Sequence, residues 1–140
     1  MKALFKARSL CFAGAFPLFC FAVPAVHAQK APLTLKQTIA LPGVEGRIDH
    51  FAFDPVGDRL FVCALANNSV EVVDLREGEL IHSLTGLGSP QGVAFVPDLD
   101  RLFVANDNGG ICRIYDAKSF QQLSELNLKD DADNVRYDDA

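Results

Sequence analysis

The chain has 140 residues and a formal net charge of −5. An acidic surface repels phosphate backbones and anionic headgroups, which argues against nucleic acid and against attachment to a membrane surface through basic residues. It suits an exported protein that has to stay dispersed.

Lys2, Lys6 and Arg8 give a basic start, Leu10 to Val23 is almost wholly apolar, and Val26-His27-Ala28 puts small residues where signal peptidase cuts. Residues 1–28 therefore read as a signal peptide. The apolar stretch is shorter than the ~20 residues a spanning helix needs, and Pro24 follows it. Removing the leader leaves 112 residues with 10 basic against 18 acidic side chains. Cys11 and Cys20 leave with it. Cys63 and Cys112 remain at repeat positions otherwise held by alanine and valine, so they read as buried thiols. Export also makes a disulfide chemically possible.

Residues 29–37 form a linker rich in Ala, Pro and Lys, and Thr38-Ile39-Ala40-Leu41 reads as an outer strand of a blade whose other strands lie elsewhere. The informative pattern begins at Ile48. Ala52-Phe53-Asp54-Pro55 is answered forty-two residues on by Ala94-Phe95-Val96-Pro97, and Asp58-Arg59-Leu60-Phe61-Val62 by Asp100-Arg101-Leu102-Phe103-Val104. Both copies then reach an apolar run ending on an aspartate, Asp74 and Asp116. A period of roughly 40 to 45 residues built from short strands and turns is that of a four-stranded propeller blade.

In the first repeat, 48–89, strands are predicted at Phe51 to Phe53, Arg59 to Ala64, Val70 to Val73 and Leu80 to Leu84. In the second, 90–131, they are predicted at Gly92 to Val96, Arg101 to Ala105, Cys112 to Tyr115 and Gln122 to Leu126. Asp54-Pro55-Val56-Gly57-Asp58, Asn67-Asn68 and Asp107-Asn108-Gly109-Gly110 supply the turn chemistry. Near-continuous apolar strands such as Leu60 to Ala64 mean that both faces of each sheet are covered, as stacked blades require. A third repeat begins at 132, with Asp133 to Asp138 in register with Asp49 to Asp54, and Asp139 falls on the position of the turn proline.

Phe103-Val104-Ala105-Asn106, with Val73-Asp74 and Tyr115-Asp116, resembles the YVTN-type β-propeller repeat of bacterial exported proteins; Phe61-Val62-Cys63-Ala64 departs from it by lacking the asparagine. The resemblance covers almost everything after Gly43. It implies an all-β fold of antiparallel four-stranded blades, here two full blades with partial flanking strands over 38–140. Such propellers close with about six to eight blades, so the remaining blades are expected from a longer chain.

Alternate connections of an antiparallel blade emerge at one end. The expected channel-face rim therefore collects Asp49, His50, Gln91, Asn106, Asp107, Asp133 and Asn134 as candidate ligand-binding residues. Turn chemistry accounts for Asn67, Asn68, Asn108, Gly109 and Gly110, and Asp74 and Asp116 are expected to bond turn amides. Asp130-Asp131-Asp133 lacks the glycine and distal glutamate of a calcium loop. No catalytic signature is present, and one histidine with one aspartate falls short of a triad. No cofactor is identified. The sequence thus points to a periplasmic or secreted recognition module for a protein, peptide or small ligand, without catalysis. The alternative is a lactonase-like or quinoprotein-like propeller holding a divalent metal or cofactor with Asp49 and His50.

Overall fold

The computed structural model describes residues 33–138, and Leu35 onward makes one unit by itself. The expected signal peptide, residues 1–28, and Asp139 lie outside the described residues. Eight strands run in order: β1 (Phe51–Asp54), β2 (Arg59–Ala64), β3 (Ser69–Asp74), β4 (Glu79–Leu84), β5 (Pro90–Val96), β6 (Arg101–Asn106), β7 (Ile111–Asp116) and β8 (Gln122–Asn127). They form two four-stranded antiparallel meanders, β1-β2-β3-β4 and β5-β6-β7-β8. These are the two blades.

The two sheets match in detail. In both, the fourth strand is bulged against the third at the same place, Val72/Val73 in the first and Ile114/Tyr115 in the second. Left-handed backbone also recurs forty-two residues apart: Asp58 (φ 49°) with Asp100 (50°), Asn68 (55°) with Gly110 (60°), and Gly78 (74°) with Phe120 (59°). Asp and Asn tolerate that conformation because their short side chains bond locally. Phe120 has no such excuse. Its ring stacks on His82 at 4.4 Å, in contact with the core, and this packing holds the strained residue in place.

The core lies between the blades. Phe61, Cys63, Val70 and Val72 form the face that the first blade turns to the second, which answers with Val93, Phe95, Leu102, Val104 and Tyr115. The rings of Phe61 and Phe95 meet at 5.7 Å with a 34° tilt, within the range where aromatic pairs attract beyond their buried area. Arg59 reinforces the contact. Its guanidinium pairs with Asp54 at 2.7 Å, donates to the Ala117 carbonyl of the other blade at 2.6 Å, and lies 5.4 Å from the Phe61 ring centre.

Two expected strands are absent among the described residues. Thr38 to Leu41 and Asp133 to Asp138 both run without strand pairing. The reason is common to both: an edge strand is defined by its ladder, and neither segment has a ladder partner among the described residues. Cys63 and Cys112 are both buried and free, in line with the reading of their repeat positions as buried thiols. Burial, followed by the nearby Asp49 charge, pushes the Cys63 thiol up to about 12, so it stays protonated.

Candidate functional site

The candidate rim is built by the starts of successive inner strands. Asp49 donates its backbone N–H to the Cys63 carbonyl at 2.8 Å, and the His50 carbonyl accepts from Cys63 at 2.9 Å, so both residues extend the ladder of β1. In the second blade, the register slips between Pro90 and Gly92, leaving Gln91 as an extra residue opposite β6. Asp49 is the repeat mate of Gln91. Irregular strand starts of this kind re-aim side chains, and they do so here at the same position twice.

The starts touch in sequence. His50 donates its backbone N–H to the Gln91 carbonyl at 3.3 Å, and its ring Nδ1 lies 2.9 Å from the same oxygen. One repeat on, Gly92 stands where His50 stood, and the segment 133–135 packs directly on its α-carbon. A Cβ there would lie 2.5 Å from the Asp133 carbonyl oxygen and 3.0 Å from the Val135 nitrogen. The third start thus sits on the second as the second sits on the first. Asp49, His50 and Gln91 are brought together, and Asp133 and Asn134 follow beside Gly92.

Charge is arranged closely around Asp49. Its Oδ2 takes a bond from Arg47 at 2.6 Å and its Oδ1 faces His50 Nδ1 at 3.1 Å. Arg47 escaped the sequence reading because its repeat mate is Ser89, so the period carries no signal at that position. Asp107 lies further along the rim, hydrogen-bonded to Asp131. Partial desolvation, then the neighbouring Asp107, Asp133 and Asp130 carboxylates, raise Asp131 above the ordinary carboxylate range.

Asn106 behaves differently from its neighbours. It is only 2% exposed, its amide nitrogen donates to the carbonyls of Val104 and Ile111, and its amide oxygen accepts from Gly88 N–H. Its side chain ties the second-to-third-strand turn to the incoming chain, beneath the rim. Asn68, on the second-to-third-strand turn of the first blade, holds the same incoming segment, accepting from Ser89 N–H at 3.0 Å.

Buried Glu71 was also invisible to sequence pattern. It is 1% exposed in the middle of β3, where its carboxylate accepts from the hydroxyls of Ser69, at 2.5 Å, and Ser83. Two hydroxyl donors satisfy polar oxygens that would otherwise be costly to bury.

At the opposite end of the blades a cavity of about 240 Å³ opens between the sheets, lined in part by Asp54, Arg59, Phe95, Asp100 and Lys118. Its charges are already matched: Arg59 with Asp54, and Lys118 with Asp100 at 2.5 Å. Among the described residues no group of three or more His, Cys, Asp and Glu side chains is placed to hold a metal ion.

No family model and no curated protein matches the chain. Solved structures do. The hydrazine synthase of Kuenenia stuttgartiensis superposes with a TM-score of 0.53 at 24% identity, over 59% of this chain and 24% of that one. Apo AztD from Citrobacter koseri superposes with a TM-score of 0.56 at 23% identity, over 69% of this chain and 26% of that one. The chain spans about a quarter of the length of each. With two repeated four-stranded meanders stacked face to face, this likeness makes the fold a β-propeller type.

Proposed function

We propose that the chain is an exported recognition module, periplasmic or secreted, whose propeller rim binds a protein, a peptide or a small ligand without catalysing a reaction on it. One observation carries the reading: consecutive inner strands deliver Asp49, His50 and Gln91 to one place, with Asp133 and Asn134 next in the series. Rigid strands positioning varied polar side chains at loop-rich ends is how scaffolds of this class bind. The enzyme alternative required Asp49 and His50 to share a metal or cofactor. Both Asp49 oxygens already face partners, Arg47 and the His50 ring, and among the described residues no third His, Cys, Asp or Glu is grouped with the pair to complete a metal's ligand set.

The test is a thermal-shift screen of small polar molecules and short peptides against the purified chain, repeated with His50→Ala and Lys118→Ala. A ligand of the rim raises the melting temperature of the parent and of Lys118→Ala, and loses its effect in His50→Ala. A ligand whose effect survives His50→Ala and vanishes in Lys118→Ala belongs to the cavity at the other end and contradicts the proposal. So does chemical turnover of the bound molecule.

A further inference from the structure

We infer that the rim reads a hydrogen-bond donor on its ligand, through His50 Nε2 held as a fixed acceptor; this rests on the recognition reading of the same rim. The two atoms facing Nδ1 are the Gln91 carbonyl oxygen at 2.9 Å and Asp49 Oδ1 at 3.1 Å. Neither has a hydrogen to give. The neutral ring must therefore keep its proton on Nδ1, and its lone pair stands on Nε2.

The surroundings make this tautomer hard to exchange. Asp49 is pinned by Arg47 through Oδ2 and by its own N–H to Cys63. The His50 backbone is fixed on one side by Cys63 and on the other by Gln91. Turning the ring over would set a C–H against both acceptors and forfeit both contacts. Meanwhile Nε2 has no hydrogen-bond partner among the described residues, and the side chain is 37% exposed. A carboxylate and a carbonyl that hold one ring nitrogen set the tautomer and leave the other nitrogen to engage a ligand.

The ligand chemistry follows. A hydroxyl, an amide N–H or an ammonium group completes Nε2. A carboxylate or phosphate oxygen without a proton meets lone pair with lone pair and is repelled. Because Gly92 occupies the repeat-equivalent position and abuts 133–135 directly, this acceptor occurs once in the two blades. It therefore reads one group of the ligand.

Long-range 1H–15N spectra of the 15N-labelled 140-residue chain, at a pH where the ring is neutral, test the assignment. A protonated, pyrrole-like Nδ1 and a pyridine-like Nε2 are expected for His50, with the two forms mixing in Asp49→Ala. Ethylene glycol and methylammonium are then added as donor probes, and acetate as an acceptor-only probe. Donor probes should move the Nε2 resonance and acetate should leave it in place. A proton on Nε2 in the parent, or an acetate response equal to that of the donors, overturns the inference and leaves the rim as a binding face. If neither these probes nor any ligand from the thermal screen moves a rim resonance, the recognition reading falls with it.

Discussion

Asp54, Asp74 and Asp116 each end a strand and bind the turn that follows. Asp74 Oδ1 accepts from the amides of Arg76 and Glu77, and Asp116 Oδ1 from those of Lys118 and Ser119. Asp54 Oδ1 accepts from Val56 and Gly57, while its Oδ2 holds Arg59. Burial alone would raise the Asp54 carboxyl, but the Gly57 amide, the Arg59 guanidinium and the Val56 amide outweigh it and hold it below its ordinary 3.8. Asp74 and Asp116 are lowered as well, chiefly by the Glu77 and Ser119 amides respectively. The sign is that of a depressed acid. The stability these groups contribute is complete above the unfolded value of 3.8 and is lost as pH falls through the lower folded values. Melting temperature should therefore be flat with respect to these three groups above about pH 5 and drop steeply below about pH 4. Asp54→Asn should melt lower near neutrality and show a shallower acid limb. An unchanged acid limb in that variant would remove Asp54 from the account. The duty of Asp74 and Asp116 was legible in the sequence because an aspartate closing an apolar run before a turn has few other uses. The further role of Asp54 was not legible, since the Arg59 it holds reaches the Ala117 carbonyl only when two blades stack.

At the scale of elements, the eight strands were readable because the sequence states each of them twice. Alternation alone would have been ambiguous for Leu60 to Ala64, where every position is apolar. The second copy settled both the boundaries and the turns. The flanking segments have no strand pairing among the described residues: Thr38 to Leu41 matches the fourth strands in composition, but a strand needs a ladder partner, and composition does not supply one. The segment 133–135 keeps its repeat position without pairing as a strand, and it rests on the bare α-carbon of Gly92. That contact is testable. Gly92→Ala puts a methyl group 2.5 Å from the Asp133 carbonyl oxygen, so backbone must move. The variant should lose about 1–3 kcal/mol, the usual cost of overpacking, and expose the peptide around 133–135 to limited proteolysis. Equal proteolysis of parent and variant there would mean that the third strand start does not seat on the second.

For the molecule as a whole, the series of inner-strand starts was legible in the repeat and its geometry was not. Repeat register placed Asp49, His50, Gln91 and Asp133 in one series. It could not show that Asn106 turns inward to bond backbone, nor that Arg47 and Asp49 orient a ring, because those facts depend on which carbonyl lies nearest in space. The same logic governs stability. Phe61 is fully buried although its own sheet is only one layer thick, since Phe95 and its neighbours in the other blade cover it. A blade of this kind has no core of its own. The most direct test of that claim is strand-resolved amide hydrogen exchange in the parent chain and in Phe61→Leu. The account predicts that the substitution speeds exchange in β5 and β6 together with β2, because the two sheets share one hydrophobic layer. Acceleration confined to residues 51–84, with the second sheet protected as before, would contradict it.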